Sequence, residues 1–143
     1  MMKAEKSVTI KKPVAEVFAF SQSMENYTKW QSDVDSVHMD EGPDNTVGSR
    51  YTEVRKFLGK EMKTTLEITA FKENETWAAK VIKGPVPYEV TITYEPVPEG
   101  TKITMLVEGE PTGFFKLAEK MVANNLEEGL EKDFAALKKL LEA

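Results

Sequence analysis

Apolar and polar residues alternate along this chain with two different periods, and the changes of period divide it into three parts. Ser7-Val8-Thr9-Ile10 alternates small polar with β-branched apolar residues, the pattern of a short first strand, which Lys11-Lys12-Pro13 ends. Pro13 suits a first helical position, where its missing N–H has no partner to lose. Val14, Val17 and Phe18 then fall at i, i+3, i+4, predicting a short amphipathic helix from Pro13 to Phe20. Ser23 is a candidate N-cap for a second short helix through Trp30, with Tyr27 and Trp30 on one side.

From Asp33 to Glu108 the period moves toward two, and turn signals recur at Glu41-Gly42-Pro43-Asp44-Asn45, Gly59, Lys72-Glu73-Asn74-Glu75, Gly84-Pro85 and Pro96-Val97-Pro98-Glu99-Gly100. Six strands fit between these turns, and connections this short predict an antiparallel meander with one face on a core and one in water. Met62, Thr64, Leu66 and Ile68 oppose Lys63, Thr65, Glu67 and Thr69. Tyr88, Val90, Ile92 and Tyr94 oppose Glu89, Thr91 and Thr93. The strand from Ser49 to Phe57 is different, because Tyr51, Glu53 and Arg55 share one face, Arg50, Thr52 and Val54 the other, and neither is plainly apolar.

After Pro111-Thr112-Gly113, with Thr112 as a candidate N-cap, the pattern is helical to the end. Apolar residues at Phe114, Leu117, Ala118, Met121, Val122, Leu126, Leu130, Phe134, Leu137 and Leu141 step by three or four and predict one buried stripe on a single helix about 43 Å long. There is no internal repeat and no low-complexity tract.

The composition narrows the function. A chain of 143 residues, 41% hydrophobic and 30% charged, is enough for one domain, burying roughly 68–70% of its unfolded surface. The net charge of -5, with both signs interspersed, leaves no basic face for nucleic acid. With no cysteine there is no disulfide, thiolate nucleophile or Cys-ligated metal, and with no apolar run of ~20 residues no membrane span is expected. A cytoplasmic location is the expectation, and the Asn-x-Thr triplets at Asn26 and Asn74 are then chance matches.

The order strand, two short helices, six-stranded antiparallel run and long C-terminal helix resembles the START-like superfamily, in its polyketide cyclase/dehydrase-like branch, SRPBCC. The residues that carry the resemblance are Ile10-Lys11-Lys12-Pro13-Val14-Ala15-Glu16-Val17-Phe18-Ala19-Phe20, Asn26-Tyr27-x-x-Trp30, Val47-Gly48-Ser49-Arg50-Tyr51, Phe57-Leu58-Gly59-Lys60, Tyr94-Glu95-Pro96 with Gly100-Thr101, and Leu137-Lys138-x-x-Leu141-Glu142. The resemblance implies an α+β helix-grip fold over residues 1–143, in which a seven-stranded antiparallel sheet curves around the C-terminal helix and the two short helices close one end of a cavity. Members of that superfamily use the cavity for sterols, lipids, plant hormones, polyketides and other apolar molecules. The family has no universal catalytic motif, so no catalytic residue carries over, and fold transfers better than function.

Candidate site residues follow from that expectation. Trp30, Met62, Trp77, Tyr88, Met105, Phe115 and Met121 are large, soft or aromatic and fall where they could look inward; plain core packing is the default for each, and only together do they argue for a cavity. Tyr51, Glu53 and Arg55 either orient a ligand's polar group inside the cavity or sit on the wet face as a cross-strand pair. Asn125 and Gly129 stand one turn apart on the helix stripe. A mid-helix glycine costs about 1 kcal/mol relative to alanine, so Gly129 implies either room for a ligand or close approach of a strand. His38, the single histidine, is out of phase with Val37 and Met39 and is expected at the surface. The acidic stretch Asp35, Asp40, Glu41, Asp44 misses the calcium-loop spacing, so neither metal nor cofactor is expected.

Three functions remain open: binding of a small, mostly apolar molecule, catalysis of the cyclase/dehydratase type in the same cavity, and a chaperone-activator-like interaction module. Thr-, Lys- and Glu-rich outer strand faces count against the third. Ligand identity and oligomeric state are not readable from these residues.

Overall fold

The computed structural model describes residues 2–31, 33–57 and 59–143, with the side chains of Phe114 and Phe115 outside the description. One antiparallel sheet of seven strands forms the frame, in the order β1-β7-β6-β5-β4-β3-β2. Its strands are β1 (Met2–Ile10), β2 (Val34–Glu41), β3 (Arg50–Phe57), β4 (Lys60–Lys72), β5 (Thr76–Lys83), β6 (Tyr88–Val97) and β7 (Gly100–Gly109). From β2 to β7 each strand pairs with the next, as the short turns require, and β1 closes on β7 with Met2 opposite Gly109 and Ile10 opposite Thr101. The tight β6–β7 turn needs Gly100, whose φ is 146°, because a Cβ there would strike the carbonyl of Ile10.

Between β1 and β2 the chain crosses from one sheet edge to the other through α1 (Val14–Gln22), a 3₁₀ turn (Met24–Asn26) and α2 (Tyr27–Trp30). Pro13 stands just outside α1 in an extended conformation and is not its first residue, and α1 runs on to Gln22 instead of stopping at Phe20. The second expected helix has only its last four residues in α form. Ser23 precedes a 3₁₀ turn and makes no side-chain cap.

β1 starts five residues earlier than the alternation at Ser7 indicates. Met2 and Ala4 are buried against the core while Lys3 and Glu5 point outward, a two-residue period that the small Ala4 makes faint in the sequence. The C-terminal helix is also not single. A turn, α3 (Phe114–Leu117), ends at Ala118, whose φ of -108° and ψ of 27° leave the helical region, and α4 (Glu119–Glu142) follows over 24 residues, about 36 Å. Thr112 sends its hydroxyl to the carbonyl of Pro85 at 3.3 Å rather than capping the helix.

α4 lies across β1. Lys138 donates from Nζ to the Thr9 carbonyl at 2.6 Å and to Glu142 at 2.9 Å, and Glu142 in turn accepts the Lys11 backbone N–H at 2.8 Å. The main core gathers Phe134, Leu137 and Leu141 of α4 with Ile10, Ile68 and Ile103 of the sheet and Val17 and Phe18 of α1. A second, smaller cluster of Met2, Met62, Val86 and Val122 sits under the start of α4. No helix among the described residues is long and apolar enough to cross a membrane.

Candidate functional site

Between the two clusters the helix and the sheet part, leaving a cavity in which about 90 Å³ is open to the centres of water-sized molecules. One such molecule needs only about 10–15 Å³ by that measure. α4 supplies Val122, Leu126, Leu130 and Asp133 to the wall, and α2 supplies Tyr27 and Trp30. The sheet supplies Met62 and Leu66 from β4, Trp77 from β5, Tyr88 and Ile92 from β6, and Met105 from β7.

β3 resolves its own ambiguity here. Tyr51, Glu53, Arg55 and Phe57 all line the cavity, and Tyr51 and Glu53 are 2% and 4% exposed. The opposite face stays partly covered because Thr52 bonds both Asp40 and Thr65, the latter at 2.9 Å. Glu53 accepts three hydrogen bonds: from Arg55 Nε at 3.0 Å, from Arg55 Nη2 at 3.2 Å and from the Tyr88 hydroxyl at 3.2 Å. Arg55 Nη2 also reaches Gln31 Oε1 at 3.3 Å, tying the end of α2 to β3. Burial works against the Arg55 charge, but the adjacent Glu53 carboxylate outweighs it and holds the guanidinium more firmly protonated than usual. Burial, and then Glu53, push the Tyr88 hydroxyl up.

At the end closed by α1 and α2, a second polar group is complete in itself. Tyr94 Oη accepts from Gln22 Nε2 at 2.6 Å and shares a hydrogen bond with Ser21 Oγ at 2.7 Å, while the Tyr27 hydroxyl donates to Gln22 Oε1 at 3.2 Å. Burial drives the Tyr94 hydroxyl up to about 12, against the lowering effect of Ser21 and Gln22, and raises Tyr27 and Tyr51 well above the ordinary tyrosine value. Tyr51 tilts against Trp77 with ring centroids 6.3 Å apart, and Trp30 stacks on Phe134 at 6.4 Å. The indole N–H groups of Trp30 and Trp77 are buried and meet no acceptor among the described residues.

Of the residues singled out from the sequence, Trp30, Tyr51, Glu53, Met62, Trp77, Tyr88 and Met105 therefore meet around one space. Three others do not. Met121 is 52% exposed, because the break at Ala118 and the stripe that begins at Val122 turn it to the far side of α4. Asn125 spends its amide on the Met121 carbonyl of its own helix, at 2.9 Å. Gly129 is outside the wall, and a Cβ on it would meet nothing within 4 Å, so neither ligand room nor a close strand explains it. The side chain of Phe115 lies outside the described residues. His38 is exposed on the outer face of β2, with Nε2 2.9 Å from Asp40 Oδ1. No group of metal-ligating side chains occurs among the described residues.

Sequence reasoning missed Gln22 and Asp133, although each carried a signal. Gln22 continues the Val14, Phe18 face by another four residues, and Asp133 falls between Leu130 and Leu137 on the stripe, so both are polar residues at apolar phases.

A sheet gripping a C-terminal helix, with two short helices after the first strand and a cavity between, is the helix-grip architecture of START-like proteins. Residues 1–142 match the family described as polyketide cyclase / dehydrase and lipid transport, and the chain belongs to that family. Solved structures agree on the fold. A protein of Thermus thermophilus superposes with a TM-score of 0.85 at 19% identity, covering 98% of this chain and 97% of its own. A START superfamily protein from Mycobacterium smegmatis gives 0.82 at 16% identity, with 99% and 98% covered. The major latex-like protein 151 of Panax ginseng gives 0.80 at 14%, with 99% and 97% covered. No curated protein sequence matches the chain closely enough to name a relative.

Proposed function

We propose that this protein binds a small, mostly apolar molecule in the cavity between α4 and the sheet. The observation that carries the reading is the wall itself: Met62, Met105, Val122, Leu126 and the aromatic rings of Tyr51 and Trp77 surround a space that close packing would otherwise fill, with polar groups confined to a few positions. The family's description, which joins polyketide chemistry and lipid transport, supports the same class of guest.

Catalysis of the cyclase or dehydratase type is the weaker reading. A general base needs a lone pair aimed at substrate, and the carboxylate of Glu53 already receives three hydrogen bonds, which leaves about one of its roughly four acceptor positions. The buried tyrosines are held protonated, far from the working range of an acid–base pair at neutral pH.

Native mass spectrometry of the protein purified from its own host tests the proposal, together with titration of a neutral fluorescent probe such as phenylnaphthylamine. A co-purifying apolar molecule, or saturable probe binding that a Leu126→Trp variant loses, supports it. A protein that emerges empty and leaves the probe unbound overturns it.

A further inference from the structure

The chain has four tyrosines, and three of them spend their hydroxyls inside the protein. Tyr27 donates to Gln22, Tyr94 is held by Ser21 and Gln22, and Tyr88 donates to Glu53. Tyr51 differs. Its cross-strand neighbours are Met39 of β2 and Leu66 of β4, whose side chains carry no oxygen or nitrogen, and its hydroxyl makes no hydrogen bond among the described residues.

The same hydroxyl opens on the cavity. Tyr51 is only 2% exposed and lines that space, yet its oxygen, unlike the sealed indole N–H groups of Trp30 and Trp77, keeps accessible surface. The titratable groups that act on it, Tyr27, Glu53, Tyr88 and Arg55, all belong to the wall. Burial keeps the hydroxyl protonated at neutral pH, so it has a proton to donate. A buried donor without an acceptor costs stability, and an apolar guest that filled the cavity without supplying one would leave this hydroxyl bare.

Building on the binding reading above, we propose that Tyr51 orients the guest: its hydroxyl donates to an acceptor oxygen of the bound molecule, a carbonyl in the simplest case, while the apolar body lies against Met62, Val122 and Leu126. The contact of the Tyr51 ring with Trp77, at 6.3 Å between centroids, holds the hydroxyl in place before the guest arrives, so little freedom is lost when the bond forms. A pure hydrocarbon of the same size gains nothing at this position.

Displacement of phenylnaphthylamine by naphthalene and by methyl naphthyl ketone, in wild type and in Tyr51→Phe, tests this. Phenylalanine keeps the ring against Trp77 and removes a hydroxyl that no described group engages, so the variant is expected to fold. The ratio of the two displacement midpoints does not depend on how firmly each protein holds the probe. The ketone's advantage over naphthalene should fall about threefold or more in Tyr51→Phe, the size of one lost hydrogen bond. A smaller change would overturn the assignment to Tyr51 while leaving the cavity's binding role intact. A probe that wild type never binds removes the binding reading and this proposal with it. Should Tyr51→Phe fail to fold, the infrared carbonyl stretch of isotope-labelled ketone bound to wild type replaces it. A stretch below that of the ketone in hexane is expected, and the hexane value would overturn the proposal.

Discussion

The two halves of α4 carry the same apolar stripe and do opposite things with it. In the C-terminal half Phe134, Leu137 and Leu141 are 2%, 0% and 8% exposed, share the core with Ile10 and Ile103, and are pinned to β1 by Lys138 and Glu142. Nearer the start of α4 and up to its middle, Val122, Leu126, Leu130 and Asp133 line the cavity, together with Tyr51, Glu53 and Trp77 from the sheet. One stripe thus gives a dry anchor at one end and a cavity wall at the other. A helix laid along a sheet that grips it touches only where the sheet comes close, so amphipathicity alone does not say where packing ends and a binding site begins.

The largest expected effect is at the anchor. Leu137→Ala should lower stability by about 2–5 kcal/mol in denaturant unfolding, because it opens a void in a filled site, and should leave probe affinity of the folded protein unchanged. A loss of affinity at equal folded fraction would show that the two halves are not separable.

Next comes the sealed polar group beside the cavity. Tyr94→Phe should cost about 1–3 kcal/mol at neutral pH, because Ser21 and Gln22 lose their shared partner in a buried setting. The pH dependence has a definite sign. The folded pKa of Tyr94 is raised to about 12, above its unfolded value near 10, so the associated stability is complete below about pH 10 and is lost as pH climbs toward 12. Thermal melts over that range should fall more gently in Tyr94→Phe than in wild type, with the raised Tyr27, Tyr51 and Tyr88 sustaining the remaining slope.

Leu126→Trp addresses the open half. It should weaken probe binding about tenfold or more while changing stability less than Leu137→Ala does, since the larger ring enters existing space. A drop in melting temperature as large as that of Leu137→Ala would mean that the space closes in solution.

The smallest effect is expected at Gly129, on neither working face. Gly129→Ala should raise stability by up to about 1 kcal/mol, read as a higher Tm, and leave probe affinity unaltered, because the added Cβ meets nothing within 4 Å.

Strand existence and pairing were legible because the meander declares itself through turn residues and two-residue alternation, and β4 and β6 show their buried faces directly in Met62-x-Thr64-x-Leu66-x-Ile68 and Tyr88-x-Val90-x-Ile92-x-Tyr94. On β3 the phase that groups Tyr51, Glu53 and Arg55 was equally legible, but its direction was not. Alternation fixes which residues travel together, while the partners that make a buried charge tolerable, Tyr88 from β6 and Gln31 beside α2, arrive only through the fold.

On α4 the period predicted a helix and its buried residues from Val122 onward. The break at Ala118 and the rotation that exposes Met121 and Leu117 were not written in that period, because a stripe continues on paper across a residue that leaves helical geometry. By itself, then, the sequence determined the elements, their order and the side chains that move as a set, all consequences of local periodicity and turn chemistry. Only the tertiary structure decided which set faces the cavity, where the helix parts from the sheet, and that Glu53, Arg55, Tyr88 and Asp133 meet there, since those are distances between residues far apart in the chain.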